Sequence, residues 1–288
     1  MRKSLAALAL LLVACGDPSL GTGAGAPEKT TLPGDNEPDP DQKYQTYGLV
    51  WQGPNEPPQL CLGPANDTMP PGCEGPRVEG WNWDAVPVEG TAGDYRWGTY
   101  EVTGYYDGKT FTLVEARVPE EFDAEEDVIE TPCEEPPGGW RVEDPERAAE
   151  ADRTAAIRYA ENQPEHAATW VVYIDEPTEY TDVKDMILNI AFTEGADVET
   201  FEAEMRQLWD GPLCVIARPT LSQRELSAIQ NSDWGKDFGL HGLWSSLDVV
   251  KGTVEIGVVL IDSETRRAID ERYGEGVVIV YPAIRPVE

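Results

Sequence analysis

Residues 96–118 read RWGTYEVTGYYDGKTFTLVEARV. Tyr100, Val102, Gly104 and Tyr106 keep a period of two, Thr110-Phe111-Thr112-Leu113-Val114 resumes it, and Asp107-Gly108 lies between. That alternation marks half-buried strands, and Asp-Gly supplies the positive φ of a tight hairpin turn. Upstream, shorter apolar bursts separated by turn residues, YGLVWQG (47–53), QLCLG (59–63) and RVEGWNWDAV (77–86), read as further strands. Closely spaced strands of this kind predict a small antiparallel β domain over 43–118, a barrel or a sandwich, with an OB-like barrel as the first expectation.

Downstream the pattern changes. PERAAEADRTAAIRYAENQ (145–163) reads as a helix. Elements then alternate: strands 168–174 and 183–192, helix 198–209, strand 213–218, helix 221–230, strand 253–262, helix 263–273 and strand 277–282. Asp197 is placed to cap the helix whose buried face is Phe201, Met205 and Leu208. Thr220 with Gln223 has the spacing of a capping box, and Gly274 stands where a helix stops. Two βαβ units, near 185–218 and 253–281, predict a ferredoxin-like split β-α-β sandwich over 145–288, making the chain α+β overall. Neither Thr193-Glu194-Gly195 nor Asp262-Ser263 is a Gly-rich phosphate cradle, so no nucleotide site is expected.

With 22 bases and 54 acids the net charge is 22 − 54 = −32, which excludes a nucleic-acid binder because phosphates need Lys and Arg. At 40% apolar residues the chain can still bury a sizeable core. The first residues, MRKSLAALALLLVAC, put Arg2 and Lys3 before an apolar run of about ten residues that ends in small residues, the layout of an export signal over 1–14. That run is too short to span a bilayer, which takes about 20 residues. Leu12-Val13-Ala14-Cys15 resembles the lipobox of bacterial lipoproteins. The resemblance implies a diacylglycerol thioether on Cys15 as the membrane anchor and a place in the cell envelope, outside the cytoplasm. Residues 15–42, rich in Gly, Pro and Asp, then read as a flexible tether.

Setting Cys15 aside leaves Cys61, Cys73, Cys133 and Cys214, and an even number in an exported protein favours disulfides. Three pairings are open. The Pro- and Gly-rich segment between Cys61 and Cys73 can fold back on itself, which favours Cys61–Cys73 and leaves Cys133–Cys214 by elimination. No C-x-x-C pair exists and only His166 and His241 could assist, so no metal site is expected from these residues. The segment 119–144 concentrates acids between Glu120 and Glu135 without a base but lacks the EF-hand frame. It reads as a solvated connector, with calcium binding as the competing idea.

The set Leu60-Cys61-Leu62-Gly63, Pro70-Pro71-Gly72-Cys73, Gly80-Trp81-Asn82-Trp83 and Trp97-Gly98-Thr99-Tyr100 resembles a module of secreted and lipid-anchored, often actinobacterial, bacterial proteins. That likeness carries no catalytic residue. OB-type barrels bind sugars or oligonucleotides on exposed aromatics, which makes Trp81, Trp83, Trp97, Tyr105 and Tyr106 the candidate binding residues; the competing reading puts those rings in the core. The second half, from Arg158-Tyr159-Ala160 to Arg285-Pro286-Val287, is similar to pro-region-like domains of secreted serine proteases, which implies a protein-binding role. No catalytic residue or cofactor is expected, since neither histidine has a nucleophile motif beside it. The sequence thus points to a noncatalytic, lipid-anchored envelope protein that binds a protein or polymer. The alternatives are a glycan hydrolase using surface carboxylates and a calcium-stabilised spacer.

Overall fold

The computed structural model describes residues 36–119, 128–142, 144–176 and 182–287. The expectations for the signal peptide, Cys15 and the acids Glu120–Asp127 fall outside them. The fold is α+β, built on a closed five-stranded mixed barrel. Its strands begin with β1 (Lys43–Gln52), β2 (Gln59–Leu60) and β3 (Arg77–Glu79). A 3-10 turn at Trp83–Ala85 leads to a short β4 (Gly90–Ala92), the long β5 (Tyr95–Tyr106) and β6 (Thr110–Arg117). Neighbours run β1-β2-β3-β6-β5, and β1–β5 pairing closes the ring. Only β3–β6 is parallel among these contacts.

Pleat alternation sends Tyr44, Val50, Tyr100, Val102, Tyr106 and Phe111 inward, where they form the barrel core with Leu60 and Val78. Between β5 and β6 the Asp107 carboxylate accepts from Lys109 N (2.9 Å) and Thr110 N (2.7 Å), while Gly108 takes φ +90°. The Cys61–Cys73 disulfide closes the loop between β2 and β3. Inside that loop the Asn66 side chain accepts from Gly72 N at 2.8 Å.

After a second disulfide-held segment, in which Cys133 is bonded to Cys214, the chain enters α1 (Glu150–Glu161), β7 (His166–Tyr173) and β8 (Met186–Thr193). Next come α2 (Val198–Leu208), β9 (Leu213–Arg218), α3 (Gln223–Gln230) and α4 (Trp234–Phe238). β10 (Gly242–Asp248), β11 (Thr253–Val258), α5 (Ser263–Tyr273), β12 (Val278–Pro282) and β13 (Arg285–Pro286) finish the chain. The strands form two three-stranded sheets, β7-β8-β9 and β10-β11-β12, in place of the one sheet of a ferredoxin-like sandwich. The strand β10 makes the difference: GLWSSLD pairs with β11 as a hairpin, where the sequence pattern placed no strand between 230 and 253.

The two sheets share one α-β-β-α-β layout, with the short α4 added before β10 in the second. In each, an antiparallel pair is followed by a parallel one. The register shifts at the same place, between His166 and Ala168 in one and Gly242 and Trp244 in the other. Thr193 N donates to Glu165 O (2.9 Å) as Val259 N does to His241 O (3.0 Å). Leu188 N reaches Pro212 O as Val254 N reaches Val277 O, both at 2.9 Å. Asp197 caps α2 through Thr200 N and Asp262 caps α5 through Thr265 N, inside matching Asp-x-Glu-Thr sequences. One face of each sheet lies under helices: Leu188, Ile190 and Phe192 meet α1 and α2, and Val254, Ile256 and Val258 meet α3 and α5.

Two local expectations change. The capping box is Ser222 with Glu225, two residues beyond Thr220 and Gln223, and the Glu225 carboxylate accepts from Ser222 N at 2.8 Å and from its hydroxyl at 2.7 Å. On α2, Leu208 is exposed, and Trp209 fills the core by folding its ring over Gly211.

The chain also returns to its starting point. β13 pairs with β1, Tyr44 opposite Pro286, and Ile284 with Leu260 completes the barrel core. Asn36 is buried against the second unit. Its amide donates to Phe238 O (3.0 Å) and Thr265 Oγ1 (3.1 Å), and its oxygen accepts from Asp262 N (3.0 Å).

Candidate functional site

Because β1 and β5 alternate, residues facing away from the barrel core form their own row. Trp51 lies opposite Trp97, Leu49 opposite Thr99, Tyr47 opposite Glu101 and Lys43 opposite Tyr105. Tyr47 is 64% exposed and Tyr105 37%. Glu101 pairs with Arg117 at 2.8 Å beside them. The Trp97 indole lies flat over Gly90, where a Cβ would come within 2.2 Å of its ring. Trp51 rests 3.5 Å from the Cβ position of Gly72, beside an open depression bordered by Pro64, Asn66 and Glu74. The result is a partly exposed aromatic and apolar stripe down one side of the barrel.

The five sequence candidates separate. Tyr106 is buried inside the barrel, its hydroxyl pushed up first by burial and then by Asp107 and Glu37. Trp81 and Trp83 pack on Tyr100, with ring centroids 5.0 and 6.3 Å away, and Trp83 Nε1 donates to Gln52 Oε1 at 2.5 Å. The Tyr100 hydroxyl donates to Pro87 O and is raised to about 12, by burial first and Glu89 second. These rings cover the core. Trp97 and Tyr105 face outward but stand eight residues apart on β5, roughly 25 Å at strand rise. The structure links them through Tyr47, Leu49 and Trp51, which the sequence reading had not selected. The signal was available in the alternation of YGLVWQ, which makes Tyr47, Leu49 and Trp51 one face once Val50 is inside.

A second aromatic surface lies on the helix-free face of β10-β11-β12. Gly257 has no side chain, so Trp244 lies flat across β11; a Cβ there would sit 2.0 Å from Trp244 Nε1. Tyr281 stacks alongside, centroids 5.7 Å apart and planes at 26°. Next to them Glu255 accepts from the Tyr281 hydroxyl (3.3 Å) and the Ser246 hydroxyl (3.1 Å). Burial, and after it the Glu255 charge, raises the Tyr281 hydroxyl. Asp248 and Lys251 pair at 3.6 Å at the hairpin end.

His166 opens β7 with its ring at 2.9 Å from Thr169 Oγ1, and burial lowers its pKa. His241 is exposed and stands 3.5 Å from Glu37. Among the described residues, no three His, Cys, Asp or Glu side chains converge as metal ligands, and no helix is long and apolar enough to cross a membrane. No protein-family model, curated protein or solved structure matches the chain.

Proposed function

We propose that this is a noncatalytic, lipid-anchored envelope protein that holds a protein or polymer partner on the outside of an OB-like barrel. The observation that carries the proposal is the outward stripe of Tyr47, Leu49, Trp51 and Trp97, ending at Tyr105. Partly exposed aromatic rings beside hydrogen-bonding groups suit both sugar rings and protein side chains. The OB-like reading is supported by the strand order. With the short β4 left out, the ring runs first-second-third-fifth-fourth and back to the first, with its parallel contact between third and fifth. The lipid anchor rests on Leu12-Val13-Ala14-Cys15, and export is supported by the paired cysteines. The likeness of the second half to pro-region-like domains adds weight to a protein among the partners.

The test has two parts. Intact mass of the membrane-extracted protein should show an acylated Cys15 at the N-terminus. Co-sedimentation with purified cell-wall glycan, and cross-linking on intact cells, should both be compared between the native chain and Tyr47→Ala/Tyr105→Ala. The proposal requires that the native chain be captured in at least one of the two assays and that the folded double variant lose that capture. Unchanged capture would remove the barrel face, and release of reducing ends from the glycan would replace binding with hydrolysis.

A further inference from the structure

We propose that the helix-free face of β10-β11-β12 is a docking site for an arginine side chain presented by a protein partner. This site is separate from the barrel stripe.

The shared layout of the two units supplies the comparison. In the first unit the corresponding face carries Trp170, Asn189, Ala191, Ile216 and Arg218, and the chain covers it itself. Arg218 lies 5.8 Å from the Trp170 ring centre, donates to Val249 O at 2.6 Å and also to Val250 O. Val249, like Trp170 and Ile216, packs against the buried Ala167, Ala168 and Ala191. At the other end Trp170 Nε1 donates to Glu130 O (3.3 Å), and Cys214 is bonded to Cys133. In this unit an aromatic face is therefore completed by a guanidinium.

The second unit has an aromatic face of its own with the rings at other positions: by strand register Ser246 stands where Trp170 does and Trp244 where Ala168 does, and among the described residues no guanidinium lies over Trp244 or Tyr281. Leu213 pairs with Leu188 as Val278 pairs with Val254, so counting along both strands matches Arg218 to Ala283. Gly257 takes the place of Ala191 and lets Trp244 lie flat, while Tyr281 replaces Ile216 and Glu255 replaces Asn189. Tyr281 is 43% exposed, and Trp244, Ser246 and Glu255 are half-buried. The Glu255 oxygens each accept one hydroxyl, which leaves lone pairs for a planar, two-pronged donor. A guanidinium stacked on Trp244 and Tyr281 and paired with Glu255 satisfies both features together. Charge agrees, because a chain of net charge −32 attracts a basic segment at long range.

The full chain would be titrated with an acetylated, amidated Gly-Arg-Gly-Arg-Gly peptide while the tryptophan indole N–H resonances are followed by NMR, Trp244 being assigned from Trp244→Phe. The expected result is a saturable shift at Trp244. It should weaken at least tenfold in Glu255→Gln, shrink when lysine replaces arginine, and vanish with citrulline. Ala283→Arg, which restores the counterpart of Arg218, should occlude the site and abolish peptide binding in a folded protein. Tyr47→Ala should leave binding unchanged, so failure here is distinguishable from failure of the barrel reading. Absence of a saturable shift at Trp244, an equal response to the citrulline peptide, or full binding by Glu255→Gln would each overturn the proposal.

Discussion

The two disulfides close loops of very different size, with sequence separations of 12 for Cys61–Cys73 and 81 for Cys133–Cys214. A cross-link removes roughly 2.1 + 1.5R ln n cal/mol/K from the unfolded chain, which at 25 °C gives about 2.8 kcal/mol for the short loop and about 4.5 kcal/mol for the long one. Cys61 and Cys214 are both buried, so Cys→Ala at either removes a similar small apolar side chain and the folded-state losses nearly match. One difference remains on the folded side. The segment around Cys133 is also held by the Trp170–Glu130 hydrogen bond, and removing the disulfide there returns some entropy to the native state. The net expectation is that Cys133→Ala/Cys214→Ala loses about 1–2 kcal/mol more than Cys61→Ala/Cys73→Ala. For a protein of this size that is a melting point lower by roughly 2–8 °C. Calorimetry and guanidinium titration on both double variants, in the absence of reductant, measure it. A short-loop variant that loses as much as the long-loop one would refute loop closure as the source of the stabilisation.

Asn36→Ala should cost about 2–4 kcal/mol, read as a shifted denaturation midpoint, because it strands Phe238 O and Asp262 N as well as removing three hydrogen bonds. Gly104→Ala places a Cβ 2.3 Å from Thr112 O inside a closed ring that cannot splay, and should cost about 1–3 kcal/mol in the same assay. Gly257→Ala should lift Trp244 off the sheet and alter its indole resonance while the barrel aromatics keep theirs. His166, lowered by burial, takes up its proton in the unfolded chain first, so its contribution is whole above its ordinary value of 6.5 and is lost as pH falls through the folded-state value. His166→Gln should therefore flatten the stability-pH curve below pH 6.5, measured by denaturant midpoints at successive pH values.

What could be read in advance follows the reach of each signal. The hairpin at Asp107-Gly108 was legible because turn chemistry and alternation are local. The cap on α3 was misplaced by two residues because Thr220-x-x-Gln223 and Ser222-x-x-Glu225 have the same spacing, and only the latter precedes the helical backbone. Leu208 was assigned to the core because periodicity continues past a helix end, whereas the chain turns at Trp209 and buries that ring. β10 stayed hidden because Gly242, Ser245 and Ser246 dilute its apolar side, and without it the second unit looked like half of a single sheet. The repeated Asp-x-Glu-Thr was present in the sequence, but four residues gain meaning only when the strands on either side share a register. The aromatic candidates divided for a similar reason: a ring's residue type does not say which wall of a barrel it stands on, and strand pairing does.

The return of β13 to β1 sets an order of assembly. Gln45 waits for Arg285, a partner 240 residues further along, and the barrel core lacks Ile284 until the chain has extended that far. Long-range closure of this kind is slow and leaves apolar surface open in the interval. The strands made first are thus the last to be sealed, and a chain shortened by only its final few residues would carry its defect at the opposite end of the sequence.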